Sequence, residues 1–298
     1  MARQSRFYLA RVNKRGALTS QRVVEAFIEP MIISLRGSRY SFTDFREIRL
    51  NGNVGYYARI AKYREEGAVT VLQEAKHVSV EASIPNLIEA SSPFVYIPAF
   101  GGLAYRHMWN VFPRELFERL FSALVEQKYL LAGCDVTPVV DLRTFVMRLS
   151  KLDVITELSA TVTPPNPLFG PCWKSLSEYL RKRDLQKMTV KEQSDSGIDT
   201  RLKELAARVL ELGESEAQIK ELMETLLDGV GDAALLMAAD GYGRGRVTGR
   251  EGDHFTVIRT SENQKSFALE VDPDPHVLFE RAYYAFIQIS DERGLQHP

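Results

Sequence analysis

The sequence predicts an α+β protein with mixed, largely antiparallel sheets and packed helices, arranged in two domains. Three observations carry that expectation. From Val154 to Val162 the side chains alternate in strand period, with Val154, Thr156, Leu158, Ala160 and Val162 on one side. Asn51-Gly52-Asn53 separates two β-rich runs, and Asn-Gly is among the strongest short signals for an antiparallel hairpin. After Pro113, Leu116, Phe117, Leu120, Phe121, Leu124 and Val125 recur at helical spacing, and proline costs nothing at a first helical position.

The elements follow in order. Phe7 to Val12 reads as a first strand, and Ser20 as the cap of a helix whose Val23, Val24, Phe27 and Ile28 share one side before Pro30. Phe45–Leu50 and Tyr56–Ile60 form the Asn-Gly hairpin, Ala68 to Leu72 is a further strand, and residues 74–90 fit neither pattern cleanly. Pro93 to Arg106 reads as two strands about a primed Gly101-Gly102 turn, since both central positions can take positive φ there. Val136 to Val140, a short Phe145–Leu149 segment and the alternating strand complete an N-terminal domain over residues 1–163.

Three prolines within residues 164–170 end that domain, because they remove donors and fix φ. The second domain spans residues 171–298. It opens with a helix from Trp173 to Asp184 and a short strand at Met188–Val190. A helical pair at 199–228 follows, with Asp199 as cap of the first helix and Ser215 with Gln218 as a capping box for the second. Ala234–Ala238 and Arg246–Val257 read as strands around the glycine-rich turn at Asp240–Gly243, Phe267–Val271 as a third, and Asp274-Pro275 as the start of a final helix.

Composition narrows the class. Apolar residues make up 45% and charged residues 26% of the 298, as in ordinary globular proteins. No apolar run approaches the roughly 18 residues a membrane span requires, and the N-terminal segment has no signal-like apolar core. A cytoplasmic protein without direct membrane insertion is expected. Cys134 and Cys172 form no CxxC unit, which argues against a disulfide or a cysteine-rich metal site.

The net charge is only −1, but it is segregated. Residues 1–60 hold 11 basic against 4 acidic side chains, 171–191 hold 6 against 2, and 192–240 hold 4 against 12. Segregation of this kind can build a basic face that attracts phosphates at near-neutral net charge. The candidate phosphate contacts are Arg11, Lys14 and Arg15, then Lys174, Arg181, Lys182 and Arg183, then Arg244, Arg246 and Arg250. The last three would sit at a mobile glycine-rich hairpin, where guanidinium forks suit a nucleic-acid backbone.

Catalytic motifs are missing. The glycine-rich segment lacks the Gly-Lys-Ser/Thr end of a P-loop, and a strand rather than a helix follows it. The five histidines form no metal-ligand spacing, and His107 reads as a packed histidine. No catalytic residue, metal or cofactor is assigned. Two other function classes stay open. Glu74 and Lys76 after an apolar strand, with Asp44 upstream, could serve a metal-dependent nuclease. The acidic helical pair could instead dock a protein partner.

Arg6–Leu9, Ser92–Ile97 with its Gly-Gly turn, the helix from Val111-Phe112-Pro113 to Leu120, the Asp153–Gly170 segment and Arg281–Ile287 together resemble RexA-like phage-exclusion proteins. That resemblance implies a two-domain, homodimeric, sequence-tolerant DNA-binding protein of antiphage defence that works with a separate membrane effector. It transfers no DNA-contact residue, so the arginines and lysines above rest on charge placement alone.

Overall fold

The computed structural model describes residues 4–73, 78–164, 174–211 and 229–292. The architecture is α+β, as expected, with every named strand pairing antiparallel. In chain order the elements are β1 (Gln4–Gly16), α1 (Ser20–Ile28), β2 (Ile33–Leu35), β3 (Ser38–Leu50), β4 (Asn53–Gln73), β5 (Val78–Ile97), β6 (Gly102–Arg106), α2 (Arg114–Glu126), β7 (Ala132–Pro138), α3 (Leu142–Ser150), β8 (Val154–Val162), α4 (Lys174–Lys182), β9 (Met188–Gln193), α5 (Leu202–Glu211), α6 (Val230–Met237), β10 (Gly243–Glu251), β11 (His254–Arg259), β12 (Ser266–Glu270) and α7 (Pro275–Glu292).

An eight-stranded sheet runs β12-β1-β6-β5-β4-β3-β2, and β7 pairs with the second half of β1. A four-stranded sheet runs β11-β10-β8-β9. Although β12 comes late in the chain, it pairs Gln4–Tyr8 of the first strand. The Asn51-Gly52 hairpin forms as read, with φ of 50° and 82° at its two central residues, the left-handed pair that this turn demands.

Two apolar clusters hold the large sheet, one on each face. On one face α1 and α2 cover β3–β6, and Phe27 meets Phe42, Phe94, Tyr96 and Phe121 edge-on at centroid distances of 4.9–6.1 Å. Edge-to-face rings of this kind add to simple burial. Truncating Phe27 to alanine opens a cavity among four rings that cannot collapse into it, so a loss of about 3–5 kcal/mol is expected in a denaturant titration. On the other face, α7 and the small sheet share a core with Phe7, Leu9 and Phe100.

Several readings change in the structure. The Gly101-Gly102 pair is not a two-residue hairpin turn. Pro98–Phe100 form a short helical turn closed by Gly101 at φ 56°, and Gly102 already belongs to β6. A Cβ on Gly102 would lie 2.5 Å from the Phe286 ring, so its role is close packing against α7. Phe145–Leu149 lies in helix α3.

Ala234–Ala238 is no strand but the end of α6 and the wide turn after it. That run is buried on every side and so shows no periodicity to separate helix from strand. The Asp240–Gly243 segment is a buried helix exit, with Asp240 only 1% exposed, and not a mobile hairpin. Thr19, rather than Ser20, caps α1 by accepting from Arg22 N. At the start of α5, Asp232 accepts from Arg201 N and from the Thr200 hydroxyl, a job the sequence assigned to Asp199. The second helix of the acidic pair, Cys172 and residues 165–170 lie outside the described residues.

Candidate nucleic-acid interface

The interface is built outward from one face of β1. Residues two apart on a strand share a face, which here reads Phe7, Leu9, Arg11, Asn13, Arg15. The first two enter the core between the sheets. Arg11 is 1% exposed: its Nε donates to Asp240 O at 2.8 Å and its Nη1 to Phe100 O at 2.7 Å. Its guanidinium lies 5.0 Å from the Tyr242 ring centre. Burial lowers its pKa, and Tyr242 opposes that shift.

Asn13 Nδ2 donates to Thr137 Oγ1 at 2.6 Å and to Gly241 O at 2.8 Å, and the Thr137 hydroxyl donates to the same carbonyl. These side chains satisfy the backbone oxygens of the α6 exit, which burial would otherwise leave costly. They tie that exit to β1 and β7, and so set where β10 begins.

Arg15 emerges at the end of this face into a cleft between the sheets. Two adjoining cavities of about 370 Å³ each share Asp135, Val136 and Arg244. One is lined by Asn13, Thr137, Thr161, Thr163, Lys187 and Gly243, the other by Arg15, Cys134 and residues of α2 that include Glu118, Arg119 and Glu126. Four cations from separate elements thus border the cleft: Arg15 from β1, Arg119 from α2, Lys187 ahead of β9 and Arg244 from β10.

The acids of the cleft are engaged. Asp135 Oδ2 accepts from Arg15 Nε at 2.8 Å, and Glu126 Oε1 accepts from Cys134 N at 2.7 Å. Gly133 leaves room for the Arg15 guanidinium, because a Cβ there would sit 2.8 Å from its central carbon. The Gly16 N–H donates to Gln186 Oε1 at 3.1 Å, which brings the segment after α4 to the cleft mouth.

Glu118 lies beneath the cations. It is 5% exposed, accepts from the Tyr105 hydroxyl at 2.9 Å, and lies 3.4 Å from an Arg244 Nη. Burial pushes its carboxyl up to about 7, and Glu115 adds to that, while Tyr105, Arg244 and Arg114 pull the other way. Gln264 Nε2 supports Tyr105 at 3.3 Å and Leu9 O at 2.9 Å. The Arg244 side chain itself is 59% exposed, so it can exchange this carboxylate for an external anion.

The candidate phosphate contacts are sorted by this geometry. Arg15 and Arg244 come together. Arg11 is a correction: it is fully buried and braces the α6 exit, so it cannot meet a DNA backbone. Lys14 points to the other side of β1, where burial lowers its pKa and Cys134 counters. Arg181, Lys182 and Arg183 are exposed at the end of α4, a few residues before Gln186.

Lys174 starts α4, and its side chain lies outside the described residues. Arg246 pairs with Glu157, which Lys191 also approaches at 3.6 Å. Arg250 is exposed at the far end of β10, roughly 20 Å along the strand from Arg244. All three arginines of this group stand on a paired strand, not a mobile turn. Arg119 and Lys187 were missed by sequence reasoning: Arg119 lies on a helix of mixed charge, and Lys187, although inside the basic block at 171–191, stands apart from the Arg181-Lys182-Arg183 run. His107 is partly buried beside Tyr8 and Trp109, so it is packed, but both its ring nitrogens are buried without a hydrogen-bond partner among the described residues.

For the nuclease alternative, Glu74 and Lys76 lie outside the described residues. Asp44 sits at a positive φ of 56°, 3.6 Å from Arg59. Cys134 is a buried free thiol. Among the described residues, no helix is long and apolar enough to cross a membrane.

A family model described as a domain of unknown function (DUF4747) matches residues 25–225. The chain belongs to that family. The DUF4747 match begins inside α1 and ends beyond α5, so Glu118, Arg119, Asp135 and Lys187 fall within it. Arg15 and Arg244 fall outside it, although β1 pairs with β6 and β7 in the large sheet that the DUF4747 segment builds. No curated protein matches the chain.

Proposed function

We propose that this protein binds double-stranded DNA through its backbone phosphates, with little sequence preference and without chemistry on the strand. The observation that carries the reading is the gathering of Arg15, Arg119, Lys187 and Arg244 from four elements around one cleft. Paired guanidinium groups suit phosphate geometry, and phosphate contacts position a duplex without reading bases. The donors of Asn13, Thr137 and Thr163 are spent on Thr137 Oγ1 and on the Gly241 and Tyr242 carbonyls, so the four cations carry the contact. The exposed Arg181–Arg183 cluster extends the basic surface beside the cleft mouth.

Binding is favoured over catalysis because the carboxylates of the cleft already hold Arg15, Cys134 N and the Tyr105 hydroxyl. The resemblance to RexA-like proteins supplies the setting: a cytoplasmic sensor in a phage-exclusion system, signalling to a separate membrane effector.

The experiment is a salt titration of duplex binding with two unrelated sequences. Three to four neutralised phosphates predict that log K falls with log[salt] at a slope of roughly −3 to −4, the same for both duplexes. An affinity indifferent to salt, or confined to one sequence, contradicts the reading.

A further inference from the structure

Residues 127–131 join α2 to β7, and their tip carries Leu130 and Leu131, each 93% exposed. No other large apolar side chain among the described residues is as exposed. The flanks of the tip are fixed. On one side Lys128 Nζ donates to Glu25 O at 3.0 Å and pairs with Glu29, and the Tyr129 hydroxyl donates to the Glu25 carboxylate at 2.8 Å. On the other side Ala132 and Gly133 pair with Gly16 and Arg15 of β1. Leu131 has a φ of 62°, a left-handed conformation that strains a leucine and persists only where its surroundings impose it. Here they do: a Cβ on Gly16 would run into Leu131 O, so that glycine lets the tip close over the end of β1. A braced loop thus presents two leucines to solvent.

The tip stands at the mouth of the cleft. Gly133, against which the Arg15 guanidinium lies, is two residues or roughly 7 Å along the chain from Leu131. Gly16, the partner of Ala132, donates its N–H to Gln186, the residue before Lys187. A phosphate backbone held by Arg15 and Lys187 therefore runs past the leucines. The cations at the root of the loop are committed within the chain, Lys128 to Glu29 and the α1 carbonyls, Arg22 to Ala17 O and the Tyr129 ring. The tip has no basic rim of its own for an anionic bilayer, and the phosphates within its reach are those of a duplex in the cleft.

We propose that Leu130 and Leu131 wedge into a base step of the bound duplex and kink it, so that the protein bends the DNA it holds. The inference rests on the reading of the cleft as a DNA site and adds a change in the shape of the DNA. Apolar side chains inserted from the minor groove partly unstack neighbouring base pairs and bend a duplex by roughly 20–90°. Such a wedge hydrogen-bonds to no base edge, which keeps the sequence tolerance of the phosphate contacts. A loop braced on both flanks suits the task, because little ordering is left to be done on binding.

A duplex of about 20 base pairs, labelled at its two ends with a donor–acceptor pair, reads bending by energy transfer, and its anisotropy reads binding. The variant is Leu130→Ala with Leu131→Gly. Glycine takes a positive φ without strain and neither leucine is packed, so the fold and melting temperature should hold. At saturation the wild-type chain should raise the transfer efficiency above that of the free duplex. The variant should bind within about fivefold of the wild type yet leave the transfer at the free-duplex level. A duplex that the wild type binds but leaves straight, or that the variant bends equally, overturns the wedge and leaves the cleft standing. A chain that binds no duplex overturns the cleft reading, and the wedge with it. Leucine-dependent sedimentation with phosphatidylserine vesicles, or leucine-dependent self-association, in a chain that leaves the duplex straight would assign the tip to lipid or to a second copy and overturn the wedge.

Discussion

Replacing Arg15 and Arg244 together by alanine is expected to weaken duplex binding by roughly 50–100-fold at 0.1 M salt. It should also flatten the salt slope by about two units, since each neutralised phosphate contributes close to 0.9. The two side chains come from β1 and β10 and meet only across the cleft. Both are partly exposed, at 30% and 59% of the side chain, so their removal should leave the melting temperature close to that of the wild type. Arg49→Ala is the matched control. That side chain is 75% exposed on β3, outside the cleft, and its loss should change affinity by less than about twofold. Fluorescence anisotropy with a labelled duplex reads both results. Equal losses from the control and from the cleft would mean that general surface charge, not this site, holds the DNA.

Glu118→Gln is expected to stabilise the protein at pH 8 by about 2–3 kcal/mol and to change little at pH 4. The sign follows from burial. Folding pushes the Glu118 carboxyl up to about 7, above the ordinary glutamate value of 4.5. Below 4.5 the group is protonated in both states and costs nothing. Between 4.5 and 7 it ionises only in the unfolded chain, so wild-type stability falls across that window and then levels off. The amide stays neutral and keeps an acceptor for Tyr105. Urea titrations at pH 4, 6 and 8 should show the gap opening with pH, and a constant gap would contradict the assignment.

The same group links pH to binding. Below pH 7 Glu118 is neutral and no longer competes for Arg244, so duplex affinity should rise severalfold as pH falls from 8 to 6. In the Gln variant that dependence should vanish.

Much of the fold was legible where local pattern and tertiary structure agree. The β3–β4 turn follows from Asn51-Gly52, α2 from one apolar face behind Pro113, and β8 from an alternation that holds from Leu158 to Val162, although a register shift against β10 turns Ile155 rather than Thr156 inward. Reading failed where burial is uniform or chemistry is non-local. The apolar run through Ala234–Met237 carries no period, so a buried helix passed for a strand. The Gly-Gly pair suggested a tight turn, because nothing local shows that the ring of Phe286, nearly 200 residues away, fills the Cβ space of Gly102.

The cleft was legible only in part. The basic block of residues 1–60 pointed to Arg15 and the glycine-rich segment to Arg244, yet that block also included Arg11, whose burial is decided by the α6 exit lying across it. Strand parity held a usable signal, since Arg11 and Asn13 continue the face that begins with Phe7 and Leu9. Arg119 lies on a helix of mixed charge and Lys187 four residues past the Arg181-Lys182-Arg183 run, and only folding brings them to adjoining parts of one cleft.

Hydrogen–deuterium exchange of the full chain with and without a duplex tests the central claim most directly. Bound DNA is predicted to slow exchange at the end of β1 (residues 13–16), at β7 (132–137), around Lys187 and at the start of β10 (243–246), while the paired outer parts of β4 (64–73) and β5 (78–88) are unchanged. Protection confined to those outer parts, or to other surfaces away from the cleft, would contradict the assignment of the cleft as the DNA site.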